Sequence, residues 1–61
     1  MSKDEVVQAV WENTEFCEYT PDDAAQSMEA IRSWGFHVPE DLTAEEFARM
    51  YNGLNAKYAV H

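Results

Sequence analysis

Residues 20–36 read TPDDAAQSMEAIRSWGF and carry signals for both ends of one helix. Thr20 is a favoured N-cap residue, Pro21 fits the first helical position, and the two aspartates that follow complement the positive end of the helix dipole. Gly35 can adopt the left-handed conformation that closes many helices. This stretch predicts a helix from about Pro21 to Trp34.

Apolar and small residues recur along one side of this predicted helix. Such a side is expected to pack against the core, and its small residues allow another helix to approach closely. We therefore predict an inward-facing set made of Ala24, Ala25, Met28 and Ile31, with Ser27 and Trp34 at its edge.

A linker that contains proline follows this helix. Residues 36–43 read FHVPEDLT, and Pro39 cannot continue a helix because it lacks a backbone N–H and clashes with the preceding turn. We expect the linker to be held to the core by its apolar members, Phe36, Val38 and Leu42.

A third helix is predicted directly after the linker. Thr43 and Glu46 have the spacing of a capping box, and apolar residues then recur at helical spacing. The pattern predicts a helix from Ala44 to about Lys57. The Asn-Gly pair at 52–53 leaves an earlier end open.

The first part of the chain has an amphipathic pattern from residue 3 to about residue 16. Ser2 is a suitable N-cap, and the apolar side is made of Val6, Val7, Val10, Trp11, Thr14 and Cys17. Phe16 falls outside this stripe, so the helix is expected to end near it. The moderate helix propensity of valine leaves a strand as the alternative.

These segments predict an all-α fold, a small three-helix domain with a proline-containing loop between helices 2 and 3. The 61 residues are expected to form one domain, 1–61. A single core of this size rarely supplies more than about 3–5 kcal/mol, and disulfides, metals or oligomerisation are the usual supplements. Cys17 is the only cysteine, so an intrachain disulfide is impossible and a homodimer stays open.

The sequence has no secretory signal pattern and no apolar run long enough for a membrane span. A single cysteine also suits a reducing compartment. We therefore expect a cytoplasmic protein that does not bind membranes.

Charge is distributed unevenly along the chain, whose net charge is −8. Within residues 1–31, Lys3 is the only base against eight acids, which places seven of the eight net charges there. Such a field disfavours nucleic acid and anionic membranes as ligands. It favours a partner protein with a basic surface, or simply solubility.

Residue patterns that support catalysis or cofactor binding are not found in the sequence. It has no glycine-rich phosphate loop and no Cys/His cluster. His37 lies near Glu40 and Asp41, a weak metal-binding pattern that we interpret as an exposed loop histidine. Cys17 is interpreted as a small buried apolar residue. We predict no enzyme activity and no catalytic, cofactor-binding or metal-binding residue.

Half of the twelve acids lie in predicted first helical turns, where they complement the helix dipole. Of the others, Glu12, Glu15 and Glu18 follow one another at three-residue spacing, and Glu29 lies in the middle of a helix. These four form a candidate acidic face for a basic partner. Such a face can imitate a row of phosphates and displace nucleic acid, and the alternative is a solvated surface.

Eight aromatic residues are many for so small a core, so some are expected to be exposed. Trp11 and Phe47 have the spacing of core residues. Trp34, Phe36 and Tyr51 are the candidate anchors for a partner, because aromatic side chains dominate many protein interfaces.

The sequence thus favours a non-catalytic regulator or inhibitor that docks an acidic face and an aromatic anchor on a basic protein surface. A nucleic-acid-handling enzyme is one candidate partner, in which case the protein would act as a nucleic-acid mimic. The alternative is a small adaptor or structural homo-oligomer held by an apolar aromatic patch. Small acidic helical proteins of this kind are common in phage and plasmid systems, which suggests such an origin.

Overall fold

The computed structural model describes residues 2–14 and 18–58, and the regular structure in these ranges is entirely helical. Helix α1 spans Lys3–Glu12, α2 spans Pro21–Ser33 and α3 spans Ala44–Tyr58. The predicted all-α, three-helix fold is confirmed. Within the same ranges, no helix combines the length and the apolar character needed to cross a membrane.

Helix α1 begins with a capping box. The Ser2 hydroxyl accepts a hydrogen bond from the Glu5 backbone N–H at 3.3 Å, and the Glu5 carboxylate accepts one from the Ser2 backbone N–H at 3.4 Å. This reciprocal pair satisfies two backbone donors that the first helical turn leaves open. The alternative of a strand is therefore wrong for residues 3–12, which form this helix.

Helix α1 ends earlier than the sequence predicts, at Glu12 instead of near Phe16. Asn13 Nδ2 donates to the Ala9 carbonyl at 2.8 Å, and Thr14 Oγ1 donates to the Val10 carbonyl at 2.9 Å. Because these side chains bond carbonyls of the last turn, they favour an end over a continuation. Phe16 itself, like Glu15 and Cys17, lies outside the described residues.

Helix α2 has the predicted ends. Thr20 and Asp23 form a second capping box, with both bonds at 3.2 Å. At the other end Gly35 has a φ of 91°, its N–H donates to Arg32, and the Phe36 N–H donates to Ile31. This pair of bonds is a Schellman motif, in which the left-handed residue is almost always glycine.

The linker is held to the core by two of the three residues predicted to hold it. Val38 and Leu42 are buried, whereas Phe36 is 54% exposed. The prediction for Phe36 was wrong because its backbone completes the Schellman motif while its side chain stays at the surface. Ala25, predicted to face inward on α2, is also exposed.

Helix α3 forms the centre of the molecule, and Phe47 and Tyr51 on its inner side are fully buried. Its N-terminus is capped by Thr43, whose hydroxyl accepts from the Glu46 N–H at 3.1 Å. The Asn-Gly pair at 52–53 does not end it, since it continues to Tyr58.

Helices α1 and α2 both pack on α3 but barely touch each other. Lys3 at the start of α1 pairs with Glu46 at the start of α3, and Trp11 near the end of α1 bonds Asn55, so these two helices are parallel. Helix α2 runs the opposite way, because Tyr19 just before its start pairs with Asn52. This arrangement leaves a gap between α1 and α2.

Candidate functional site

The gap between α1 and α2 is a groove with a volume of about 320 Å³, which we call the α1/α2 groove. Its lining is almost entirely apolar and comes from both helices and from the end of α2. The lining residues are Val6, Ala9, Val10, Asn13, Thr14, Ser27, Ala30, Ile31, Trp34 and Phe36.

Each wall of the groove is a regular helical stripe. Residues 6, 9, 10 and 13 form one wall, and residues 27, 30, 31 and 34 form the other. Both sets have the spacing i, i+3, i+4, i+7, which places side chains on one side of a helix. Ala9 and Ala30 are the smallest members, and their short side chains leave space between the two helices.

The polar groups in the lining already have partners inside the protein. Thr14 Oγ1 bonds the Val10 carbonyl and lies 2.6 Å from the Tyr51 hydroxyl. Ser27 Oγ lies 2.9 Å from the Tyr19 hydroxyl, and Asn13 Nδ2 bonds the Ala9 carbonyl. The groove therefore presents mainly apolar surface to a ligand.

Two of the three candidate anchors lie at this groove. Trp34 is 70% exposed and Phe36 is 54% exposed, and both line the groove where α2 ends. Their backbone is fixed by the Schellman motif around Gly35, so the two rings project from a defined position. An exposed Trp beside an apolar groove is the type of feature that marks interaction sites.

The third candidate anchor, Tyr51, is a correction, because its side chain is fully buried. Its ring stacks on Tyr19 with centroids 3.7 Å apart and planes within 8°. It lies one helical turn after Phe47, which is also fully buried, so the two share the inner face of α3. That four-residue spacing was the sequence signal for burial, and Tyr51 cannot contribute to an exposed anchor.

The predicted core residues differ in their burial. Phe47 is fully buried, as predicted. Trp11 is only partly buried, packs against the core, and has its indole N–H bonded to Asn55 Oδ1 at 2.7 Å. Its ring also lies 5.4 Å from that of Tyr58, so it closes the end of the bundle opposite Lys3.

The four candidate acids do not form one row. Glu12, Glu18 and Glu29 are exposed, and Glu15 lies outside the described residues. Because α1 ends at Glu12, the three-residue spacing that follows is not a helical stripe. Glu29 lines a depression with Ala25, Arg32 and the start of α3, on a different side of α2 from the groove.

Other acids border the groove instead. Glu5 and Glu12 are the i−4 and i+3 neighbours of Ala9, and Asp23 is the i−4 neighbour of Ser27, so all three lie beside lining residues. For Glu5 and Asp23 the sequence indicated only a position in a first helical turn, where an acid complements the helix dipole. Their location beside the groove could not be predicted, because the groove depends on how α1 and α2 pack on α3.

No positive side chain lines the groove, although all four Lys and Arg residues lie in the described part of the chain. Lys3 pairs with Asp41 at 3.3 Å and with Glu46 at 3.0 Å, next to α3. Arg32 lines the depression on the other side of α2. Among residues 2–14 and 18–58, neither Glu5, Glu12 nor Asp23 takes part in an ion pair, so their carboxylates add negative charge beside the groove.

Neither an acid, a base nor a thiol is among the lining residues of the groove. Among residues 2–14 and 18–58, no three His, Cys, Asp or Glu side chains come close enough together to hold a metal ion. His37 is exposed in the linker. Comparison with known proteins gives no further indication, since no protein-family model, no curated protein and no solved structure matches this chain.

Proposed function

We propose that the protein is a small non-catalytic protein-binding domain, a regulator or inhibitor that docks on a partner with a basic surface. The observation that carries this proposal is the α1/α2 groove, with Trp34 and Phe36 exposed at its end. Two large rings that stay in water contribute little hydrophobic stabilisation to a 61-residue chain, whose core is small. A partner that covers these rings would gain that hydrophobic free energy on binding.

The acids supply selectivity in this proposal. A net charge of −8 attracts a basic surface over distances of about a Debye length and repels acidic ones. Affinity then comes from the apolar contacts of the groove. The basic partner is proposed to be a nucleic-acid-handling enzyme in the cytoplasm, and a phage or plasmid is the proposed source of the protein.

Strict nucleic-acid mimicry receives less support than groove docking. A mimic needs charges at the regular spacing of phosphates, whereas Glu12, Glu18 and Glu29 lie on different elements and sides. A homodimer through the aromatic patch is the other candidate. It would cover Trp34 and Phe36, but it would also bring together two copies of an acidic chain.

The proposal is tested by affinity capture from lysate of the source cells, treated with nuclease and washed at low and at high salt. The bait is compared with a groove-filling variant, Ala9→Gln/Ala30→Gln. Its matched control is Ala25→Gln/Ala56→Gln, at two exposed positions outside the groove. All four changes replace alanine with another good helix former, so circular dichroism should show equal helix content.

The expected result is one dominant protein that the original chain and the control variant capture and the groove-filling variant does not. Capture that is equal for both variants would contradict groove docking. Recovery of the bait alone, with a dimer mass in sedimentation, would favour the homodimer.

A further inference from the structure

We infer that the occupant of the α1/α2 groove is a basic amphipathic helix that belongs to the partner protein and contacts the groove over about two turns. This inference rests on the proposed function and adds the conformation and the charge of the bound segment.

The hydrogen bonding of the groove favours a helix over an extended segment. An extended peptide needs backbone partners along its length, usually a sheet edge, and residues 2–14 and 18–58 contain no strand. The groove hydroxyls of Thr14 and Ser27 already bond within the protein. A helix satisfies its own backbone groups and brings only side chains into an apolar groove.

The dimensions of the groove also fit a helix. The wall residues lie within 6–13 and 27–34, eight residues on each side, which correspond to about 12 Å at about 1.5 Å per residue. Two turns of a ligand helix span about 11 Å. The i, i+3, i+4, i+7 stripes on both walls form ridges between which the side chains of another helix can pack. With α3 on the inner side, a helix in the groove would complete a four-helix arrangement.

Charge determines what flanks the apolar stripe of the ligand helix. Glu5 and Glu12 border the α1 wall, Asp23 borders the α2 wall, and no Lys or Arg lines the groove. Side chains on either flank of the ligand would therefore face carboxylates. Lys and Arg fit these positions, and Asp or Glu would be repelled.

The test is a display selection with random peptides of about 14 residues, which extend beyond both ends of the roughly two turns that the groove accommodates. The complete chain is the target, and peptides that bind the Ala9→Gln/Ala30→Gln variant are removed. We expect enriched sequences with apolar residues at i, i+4 and i+7 and an excess of Lys and Arg between them.

Synthetic versions of the enriched peptides are then titrated, with tryptophan fluorescence as the readout, to which Trp34 at the groove and Trp11 both contribute. Binding should weaken at least about tenfold in the groove-filling variant, stay unchanged in Ala25→Gln/Ala56→Gln, and weaken when salt is raised. Circular dichroism of the complex should show added helix. Replacing every Lys and Arg of the peptide with Glu should abolish binding.

Three results would overturn the inference: no enrichment, enriched peptides that are neutral or acidic, or enriched peptides that remain non-helical when bound. Each can occur while a protein is still captured from lysate in a groove-dependent manner. In that case the helix inference fails and the proposed function stands. Loss of groove-dependent capture contradicts the proposed function separately.

Discussion

At the residue scale, Asn52 shows how one side chain connects distant parts of this small fold. Its Nδ2 donates to the Tyr19 carbonyl and its Oδ1 accepts from the Tyr19 N–H, both at 2.9 Å. Both backbone groups of Tyr19 are thereby satisfied without any regular structure. These two hydrogen bonds hold the segment before α2 against α3. They also position the Tyr19 ring, which stacks on Tyr51.

Replacing Asn52 with Ala should lower the free energy of unfolding by about 1–2 kcal/mol. Two hydrogen bonds are lost at a partly buried backbone, each contributing about 0.5–1.5 kcal/mol. Alanine returns roughly half a kcal/mol through its higher helix propensity, which does not offset the loss. Urea denaturation followed by circular dichroism measures the change.

Gln8→Ala is the matched control for this substitution. The Gln8 side chain donates to the exposed Glu12 carboxylate on the same helix, at 3.2 Å, so its loss should change stability by less than about 0.5 kcal/mol. Equal stability of Asn52→Ala and the unmodified chain would mean that the pairing with Tyr19 contributes nothing to stability.

At the element scale, the helix ends show which features a sequence can predict. The caps at Ser2, Thr20 and Thr43 depend on residues within three positions of each other, and each is present. The predicted end of α1 was wrong because the side chains of Asn13 and Thr14 donate to carbonyls of its last turn, in competition with backbone N–H groups. Local spacing does not reveal the outcome of that competition.

The two glycines of the chain should respond oppositely to alanine. Gly35 has a φ of 91°, which costs an L-residue about 1–2 kcal/mol, so Gly35→Ala should destabilise the protein by that amount. Gly53 lies inside α3 without positive φ, and an added Cβ would meet nothing within 4 Å. Gly53→Ala should therefore stabilise it by about 0.5–1 kcal/mol.

Thermal denaturation of both glycine variants under one set of conditions gives this comparison directly. The two substitutions add the same methyl group, so the difference in sign reports backbone conformation alone. A Gly35→Ala variant that melts as high as the unmodified chain would show that the Schellman motif does not determine where α2 ends.

Lys3 joins α1 to the start of α3, and its contribution should depend on pH. Hydrogen bonds to Glu46 and to Asp41 raise the pKa of Lys3 from its ordinary value of 10.5. A raised folded-state pKa contributes stability that is fully present below the unfolded value and is lost as pH rises through the folded one. Lys3→Gln should therefore be less stable than the unmodified chain at pH 7.

The stability difference between Lys3→Gln and the unmodified chain should shrink once the pH exceeds about 10.5. Urea denaturation of both proteins from neutral to strongly alkaline pH measures it, because groups that the two proteins share contribute equally to both. A difference that is constant across this range would contradict the role of the charged ammonium group.

At the scale of the whole molecule, the candidate site follows from the way the three helices pack. The sequence predicted Trp34 and Phe36 as anchors because aromatic side chains dominate many protein interfaces. It could not predict the groove, because the gap depends on how α1 and α2 both pack on α3 while barely touching each other. Tyr51 was misassigned although its four-residue spacing from Phe47 indicated the inner face of α3, where its ring stacks on Tyr19.

Charge should limit the stability of the isolated molecule as well as guide its binding. The chain has twelve acids and four bases, and the two ion pairs found in the described ranges both involve Lys3. Repulsion among the acids therefore exceeds attraction, and salt should screen more of the repulsion than of the attraction. We expect the Tm to rise when NaCl is increased from about 0.01 M to about 0.15 M, which shortens the Debye length from about 30 to about 8 Å.

The triple variant Glu12→Gln/Glu18→Gln/Glu29→Gln separates this charge effect from other effects of salt. Its net charge is −5 instead of −8, since three negative charges are removed from exposed positions. It should melt higher than the unmodified chain at low salt and respond less to added salt. In a domain of this size about 1 kcal/mol corresponds to roughly 4–8 °C in Tm. If the Tm of the unmodified chain instead falls with salt, the attraction in the Lys3 ion pairs outweighs the repulsion among the acids. The acids would then not lower the stability of the fold.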